Sequence, residues 1–262
     1  MRGAIVVAAL VPLVAGCPKP AVRPYPPPSA DELMAALRGR AEHLKTLRAT
    51  AKIDYMANGG DRAKVKVNML LARGGKLRFE ADSPLGGALA TLTSDGQQFS
   101  LLDVRANRFL QGPAKACNVA RLLRIVMPPD DIATILMGGA PLGGTVKGVS
   151  WDPNNGGREV LTLAQPDGGD VVIQLDGKEK RWDVMRVERH GADGKLLWRT
   201  TNDGWKDRDG GVRLPDTEDI EEPPHGADAE IKLRSVEPNI ELGDELFRLQ
   251  PPQGIPVEPA DC

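Results

Sequence analysis

The 262-residue chain carries 34 Lys and Arg against 36 Asp and Glu, a formal charge of −2. That balance lacks the clustered basic excess of a nucleic-acid surface, so no nucleic-acid partner is expected. Aromatic residues make up 4%, while 29 glycines and 22 prolines point to a chain of many turns.

The chain opens MRGAIVVAALVPLVAGC. Arg2 precedes an apolar run from Ala4 to Ala15, which falls short of the ~20 residues that span a bilayer and reads as a secretory signal. The run ends in Val14-Ala15-Gly16-Cys17, which resembles the bacterial lipobox. The small Ala15 and Gly16 suit a peptidase groove, and the Cys17 thiol would accept diacylglycerol. Residues 1–16 are then a signal peptide, and the mature protein starts at an acylated, palmitate-bearing Cys17. Each buried methylene contributes ~0.8 kcal/mol, so two or three chains anchor durably. Pro18 stands where an Asp would favour inner-membrane retention, so a lipid-anchored, periplasm-facing place at the outer membrane is expected. No later run reaches spanning length.

Residues 17–30 hold Cys17 and a Pro-rich stretch, PKPAVRPYPPP, expected to be an extended, semi-rigid spacer. A single domain over 31–262 should follow. Ser29 and Glu32 form a capping-box signature, and Leu33, Leu37, Ala41, Leu44 and Leu47 recur at helical spacing. The period then changes to two. Ala49, Ala51, Ile53 and Tyr55 share one strand face; Val65, Val67 and Met69 alternate with Lys64, Lys66 and Asn68. Asn58 to Asp61 reads as a hairpin turn between them. KLRFEAD places Leu77, Phe79 and Ala81 together, and ALATLTS and QQFSLLD flank a turn at Asp95-Gly96.

From Asn118 to Met127 the pattern is helical again, with Val119, Leu122, Leu123 and Val126, until Pro128-Pro129 breaks it. Asp130 or Asp131 should cap a short helix carrying Ile132, Ile135 and Leu136, ended by Gly138-Gly139. A second strand set follows in EVLTLAQ, DVVIQLD, DVMRVERH, LLWRTTND and AEIKLRSVE. The acidic Asp216–Pro224 segment reads as a solvated loop or edge. The order predicts an α+β fold: a curved antiparallel β-sheet forming an incomplete, half-open barrel covered by helices.

Cys117 and Cys262 are an even pair in an oxidising compartment, which invites a disulfide; two free thiols are the alternative. His43, His190 and His225 have no metal-ligand spacing, and no metal or cofactor is expected. There is no GxSxG elbow, P-loop or GxGxxG, Glu221-Glu222 reads as a surface run, and no enzymatic activity is expected.

Three segments carry a family resemblance: LRATAKI (Leu47 to Ile53), KLRFEADSPLGGALATL (Lys76 to Leu92) and ILMGGAP (Ile135 to Pro141). A late FRLQPPQG (Phe247 to Gly254) accompanies them. In this order they resemble the LolA/LolB-like periplasmic lipoprotein carriers, LolB more closely because of the lipobox. The resemblance covers residues 31–142, and the remainder by strand pattern. It implies a half-open barrel whose apolar cavity accepts lipoprotein acyl chains or another lipid, a periplasmic carrier protein as partner, and Leu85 as the membrane-facing loop residue. Ile53, Val65, Val67, Met69, Leu77, Phe79 and Leu92 are the candidate cavity residues, with Ile132, Ile135 and Leu136 in the lid. The competing reading is a non-catalytic structural or sensory lipoprotein with the same fold and a filled core, acting by protein–protein contact.

Overall fold

The computed structural model describes residues 20–262 except 58, 59, 61, 84–86 and 155. Helix α1 (Ala30–His43) starts where Ser29 Oγ accepts the Glu32 N–H at 3.1 Å. It buries Leu33, Met34 and Leu37 against the sheet. Leu47, expected on the same helix, lies instead in the first strand, fully buried. The helical stripe and the first strand both place leucines here, and the chain turns between them at Leu44 and Lys45.

The first half of the sheet is a meander: β1 (Thr46–Met56), β2 (Arg62–Ala72), β3 (Lys76–Asp82), β4 (Ala88–Asp95), β5 (Gln98–Asp103) and β6 (Arg108–Pro113). Gly96, at φ 92°, turns β4 into β5, and the oxygen of Gly74 packs where a Cβ would sit. Two short helices follow, α2 (Ala116–Leu123) and α3 (Pro129–Leu136). The first stops before Met127, because Arg124 takes left-handed angles at its C-cap. Neither Asp130 nor Asp131 caps the second. Pro129 occupies its first turn, and Asp130 Oδ1 instead accepts the N–H groups of Gly74 and Gly75 at 3.1 and 3.0 Å.

The second half comprises β7 (Thr145–Asp152), β8 (Arg158–Ala164), β9 (Asp170–Asp176), β10 (Asp183–His190), β11 (Leu196–Asp203), the two-residue pair β12 (Lys206–Asp207) and β13 (Arg213–Leu214), then β14 (Thr217–Glu222) and β15 (Ala227–Pro238). A last short strand, β16 (Val257–Pro259), runs parallel to β6. Among the described residues one sheet runs β16-β6-β5-β4-β3-β2-β1-β15-β14-β11-β10-β9-β8-β7. Its other pairings are antiparallel. It is curved and unclosed, an incomplete barrel with helices in its hollow.

The joint between the two meanders is β1 against β15, from Leu47↔Pro238 to Met56↔Asp228. That contact brings residues ~180 apart in sequence onto one wall. The acidic segment expected as a solvated loop or edge holds β14, inside the sheet between β11 and β15. Its period-2 pattern turns Glu218, Ile220 and Glu222 inward and Asp219 and Glu221 outward.

Helix α1 is tied to the second half of the sheet by Arg40. Its guanidinium lies 3.1 Å from Asp183 Oδ1 and 4.8 Å from the centroid of the Trp205 ring. Arg213 reaches the same carboxylate at 2.9 Å. Cys117 at the start of α2 and Cys262 are joined as a disulfide, with Cα atoms 6.4 Å apart.

From Pro20 onward the Pro-rich stretch does not stand off the body as a spacer. Ala21 N–H donates to Pro153 O at 2.9 Å, and Trp151 Nε1 donates to Ala21 O at 3.1 Å. Tyr25 meets the rings of Trp151 and Trp182 edge-on, at 6.3 and 5.6 Å between centroids. The prolines favour an extended chain, and these contacts lay that chain along the sheet.

Candidate functional site

A cavity of about 430 Å³ opens between the sheet and the helices. Its walls follow from strand alternation, since side chains two apart share a face. Strand β1 supplies Ile53 and Tyr55; β2 supplies Ala63, Val65, Val67 and Met69; β3 supplies Phe79 and Ala81. Across the joint, β15 adds Ala229 and Ile231 and β14 adds Ile220. The ladder registers place these in rows: Val65, Ile53 and Ile231 abreast, and beside them Ala63, Tyr55, Ala229 and Ile220.

The space exists because small side chains stand where large ones would fill it. Ala57, Ala63, Ala81 and Ala229 all line it. The roof is Leu122 and Leu123 of α2, Ile125 and Met127 of the connection, and Ile132 and Leu136 of α3. Val67, Met69, Phe79 and Met127 are deeply buried, whereas Ile53, Tyr55 and Val65 are half-buried.

Seven of the candidate residues therefore line this cavity: Ile53, Val65, Val67, Met69, Phe79, Ile132 and Leu136. Leu77, Leu92 and Ile135 do not; they are packed solidly into the core beside it. Sequence reasoning missed Ile220, Ala229, Ile231 and the α2–α3 connection. Alternation in TEDIEE was a usable signal for Ile220, but the acidic composition masked it. Cys17 and Leu85 lie outside the described residues.

The two charged side chains among the described lining residues are both cationic, Arg62 and Arg124. Arg62 is engaged with Asp54, Nε to Oδ1 at 2.7 Å, and Lys64 adds a contact at 3.0 Å. Those cations hold the Asp54 carboxyl well below the usual range. Arg124 is exposed at the C-cap of α2, with φ 60° and ψ 15°.

Behind Ile220 the interior is polar. Glu218 is buried with Oε1 unpartnered, and Thr200 Oγ1 and Asn202 Oδ1 on β11 are unpartnered as well. Burial, with Asp219 adding repulsion, pushes the Glu218 carboxyl up to about 8. Glu222 Oε1 accepts the Val126 N–H at 3.3 Å and pairs with His225 Nδ1 at 2.9 Å. The other histidines sit elsewhere: His43 Nε2 is 3.0 Å from Gly210 O, and His190 Nε2 is 3.1 Å from Glu188. No group of three or more metal-ligating side chains occurs among the described residues.

An unclosed, curved antiparallel sheet wrapped around helices and an apolar hollow defines a LolA/LolB-like fold. Solved structures share it. A LolA superfamily protein from Nitrosomonas europaea superposes with a TM-score of 0.60 at 12% identity, over 85% of this chain and 99% of that one. A DUF1329 family protein from Desulfovibrio piger gives 0.61 at 12% identity, over 84% and 97%. A putative outer membrane lipoprotein-sorting protein domain from Vibrio parahaemolyticus gives 0.54 at 14% identity, over 83% and 97%. No protein-family profile and no curated protein matches the sequence.

Proposed function

We propose that this protein is a non-catalytic, lipid-anchored periplasmic binding protein that receives an acyl chain in its cavity. The observation that carries the reading is the carbon-lined hollow kept open by Ala57, Ala63, Ala81 and Ala229. A chain entering it gains ~25 cal/mol for each Å² of apolar area withdrawn from water. The volume lies within the 300–1,000 Å³ usual for small-molecule sites (approximate bounds). The fold shared with a lipoprotein-sorting domain supports acyl chains of lipoproteins as one cargo class, alongside other hydrophobic ligands. In this reading Cys17 carries the anchor, the protein faces the periplasm from the outer membrane, Leu85 meets the bilayer, and a periplasmic carrier delivers the cargo.

The test is a titration of the Cys17→Ala protein with a fluorescent acyl-chain probe, beside Val65→Trp. Val65 is half-buried in the wall, so the indole fills the hollow without entering the packed core. Saturable micromolar binding that Val65→Trp abolishes is the expected result. A folded protein that binds no probe would favour the filled-core alternative, acting by protein–protein contact. Palmitate labelling of the wild type, lost in Cys17→Ala, checks the anchor separately.

A further inference from the structure

We propose that Arg124 is the headgroup-binding residue of the cavity, and that its ligand is a single-chain amphiphile with an anionic head. The inference rests on the cavity reading above and deepens it.

Three observations converge on this residue. First, both charged groups among the described lining residues are arginines, and no carboxylate is among them. A cationic head would meet like charge from both of these side chains. Second, the two arginines differ in availability. Arg62 already closes a two-point pair with Asp54. Arg124 has no hydrogen-bond or ion-pair partner for its guanidinium among the described residues, and it lines the hollow beside Leu123 and Ile125. Third, Arg124 closes α2 in the left-handed conformation, with its N–H on Ala120 O at 2.9 Å. Glycine serves best at such a cap because it has no Cβ. An arginine held there against its backbone preference carries a side chain that the cap itself does not need.

A guanidinium presents a planar fork of donors that matches carboxylate and phosphate alike. An acyl chain lying along Val65, Ile53 and Ile231 under the helices would leave its head at the cationic edge of the site. The hollow, at about 430 Å³, sits near the low end of small-molecule sites, which fits one chain rather than three. The shared chemistry is therefore a fatty-acid carboxylate or the phosphate of a lysophospholipid.

The experiment uses the mature chain from residue 17, signal removed and with Cys17→Ala, purified without detergent, and compares cis-parinaric acid with its methyl ester. Wild type should bind the acid about tenfold more tightly or better, the range of a charge-assisted hydrogen bond. Arg124→Gly keeps the cap geometry and removes the guanidinium; it should lose that preference and bind acid and ester alike. Arg124→Lys should keep part of it. Competition by palmitate against lysophosphatidate then tells which anion is preferred, either order supporting the assignment. Equal binding of acid and ester by wild type, or a preference that survives Arg124→Gly, overturns it. So does displacement by a neutral triacylated lipopeptide that matches palmitate. If neither acid nor ester binds, the cavity reading fails first and takes this one with it, a result distinct from ester binding without acid preference.

Discussion

Arg23 Nε lies 2.7 Å from Oε1 of Glu159, a β8 carboxylate whose side chain has no exposed surface. The same guanidinium stands 5.1 Å from the centroid of the Trp151 ring. A residue of the Pro-rich strap thus supplies the countercharge for an acid buried in the sheet. Docking of the strap and burial of Glu159 depend on each other, because an unpaired buried carboxylate is costly.

Arg23→Ala should leave that carboxylate stranded and destabilise the fold. Losing one partner of a buried pair costs several kcal/mol; with one side of Arg23 open to water, about 2 kcal/mol is expected. Urea denaturation reads the change, and adding Glu159→Gln should recover part of it. An unchanged midpoint in Arg23→Ala would mean that the strap contributes nothing to the folded body.

The Cys117–Cys262 bond closes a separation of 145 residues. On the chain-entropy account a loop of that size is worth about 5 kcal/mol. The tail has other ties: β16 pairs with β6, Asn118 Nδ2 donates to Ala260 O at 3.1 Å, and Lys115 meets Asp261 at 2.8 Å. Cys262→Ser should therefore lower the melting temperature yet leave a folded core. A reductant should shift wild type to the same value. Equal melting with and without reductant would sink this prediction.

Glu218 gives stability a pH dependence with a definite sign. Burial pushes its folded carboxyl up to about 8, above the ordinary glutamate value of 4.5, so the folded state holds the proton more tightly. The associated stability is complete below pH 4.5 and is lost as pH rises towards 8, on the order of 4 kcal/mol across the window. Asp131, half-buried and raised to about 6, acts in the same direction at lower pH. Comparing wild type with Glu218→Gln between pH 6.5 and 8.5 isolates Glu218. The glutamine variant should show the flatter profile; parallel curves would refute the assignment.

Arg40 should not tolerate lysine. Its guanidinium serves Asp183, the carbonyls of Arg181, Trp182 and Arg213, and the Trp205 ring at once. A lysine ammonium cannot occupy that fork and stack on the ring as well. Arg40→Lys should cost about 1–3 kcal/mol in thermal or chemical unfolding. Wild-type stability in this variant would show that charge alone suffices.

The local pattern was legible where one periodicity dominated. The alternation of Val65, Val67 and Met69 and of Leu77, Phe79 and Ala81 marked strands that the fold contains. The stripe of Leu33 and Leu37 likewise marked a helix. Composition misled where it overrode period: Glu218, Ile220 and Glu222 alternate like a strand, but their acidity suggested solvent. Arg124 ended α2 early through its backbone angles, which no spacing of Leu122 and Leu123 announces.

By itself the sequence determined most element types and the turn from helix to antiparallel strands, and it singled out Cys17 as a candidate anchor. These depend on side chains within a few residues of one another. Only the tertiary structure decided where the hollow lies and which residues face it. Ile53 meets Ile231 across β1 and β15, and Ala229 meets Ile220 across β15 and β14. The emptiness is a deficit of volume summed over alanines from separate strands, and no stretch of chain encodes it locally. The strap was decided in the same way: proline stiffness made residues 20–28 extended, but Glu159, Trp151 and Trp182, more than 120 residues away, determined where the extended chain lies.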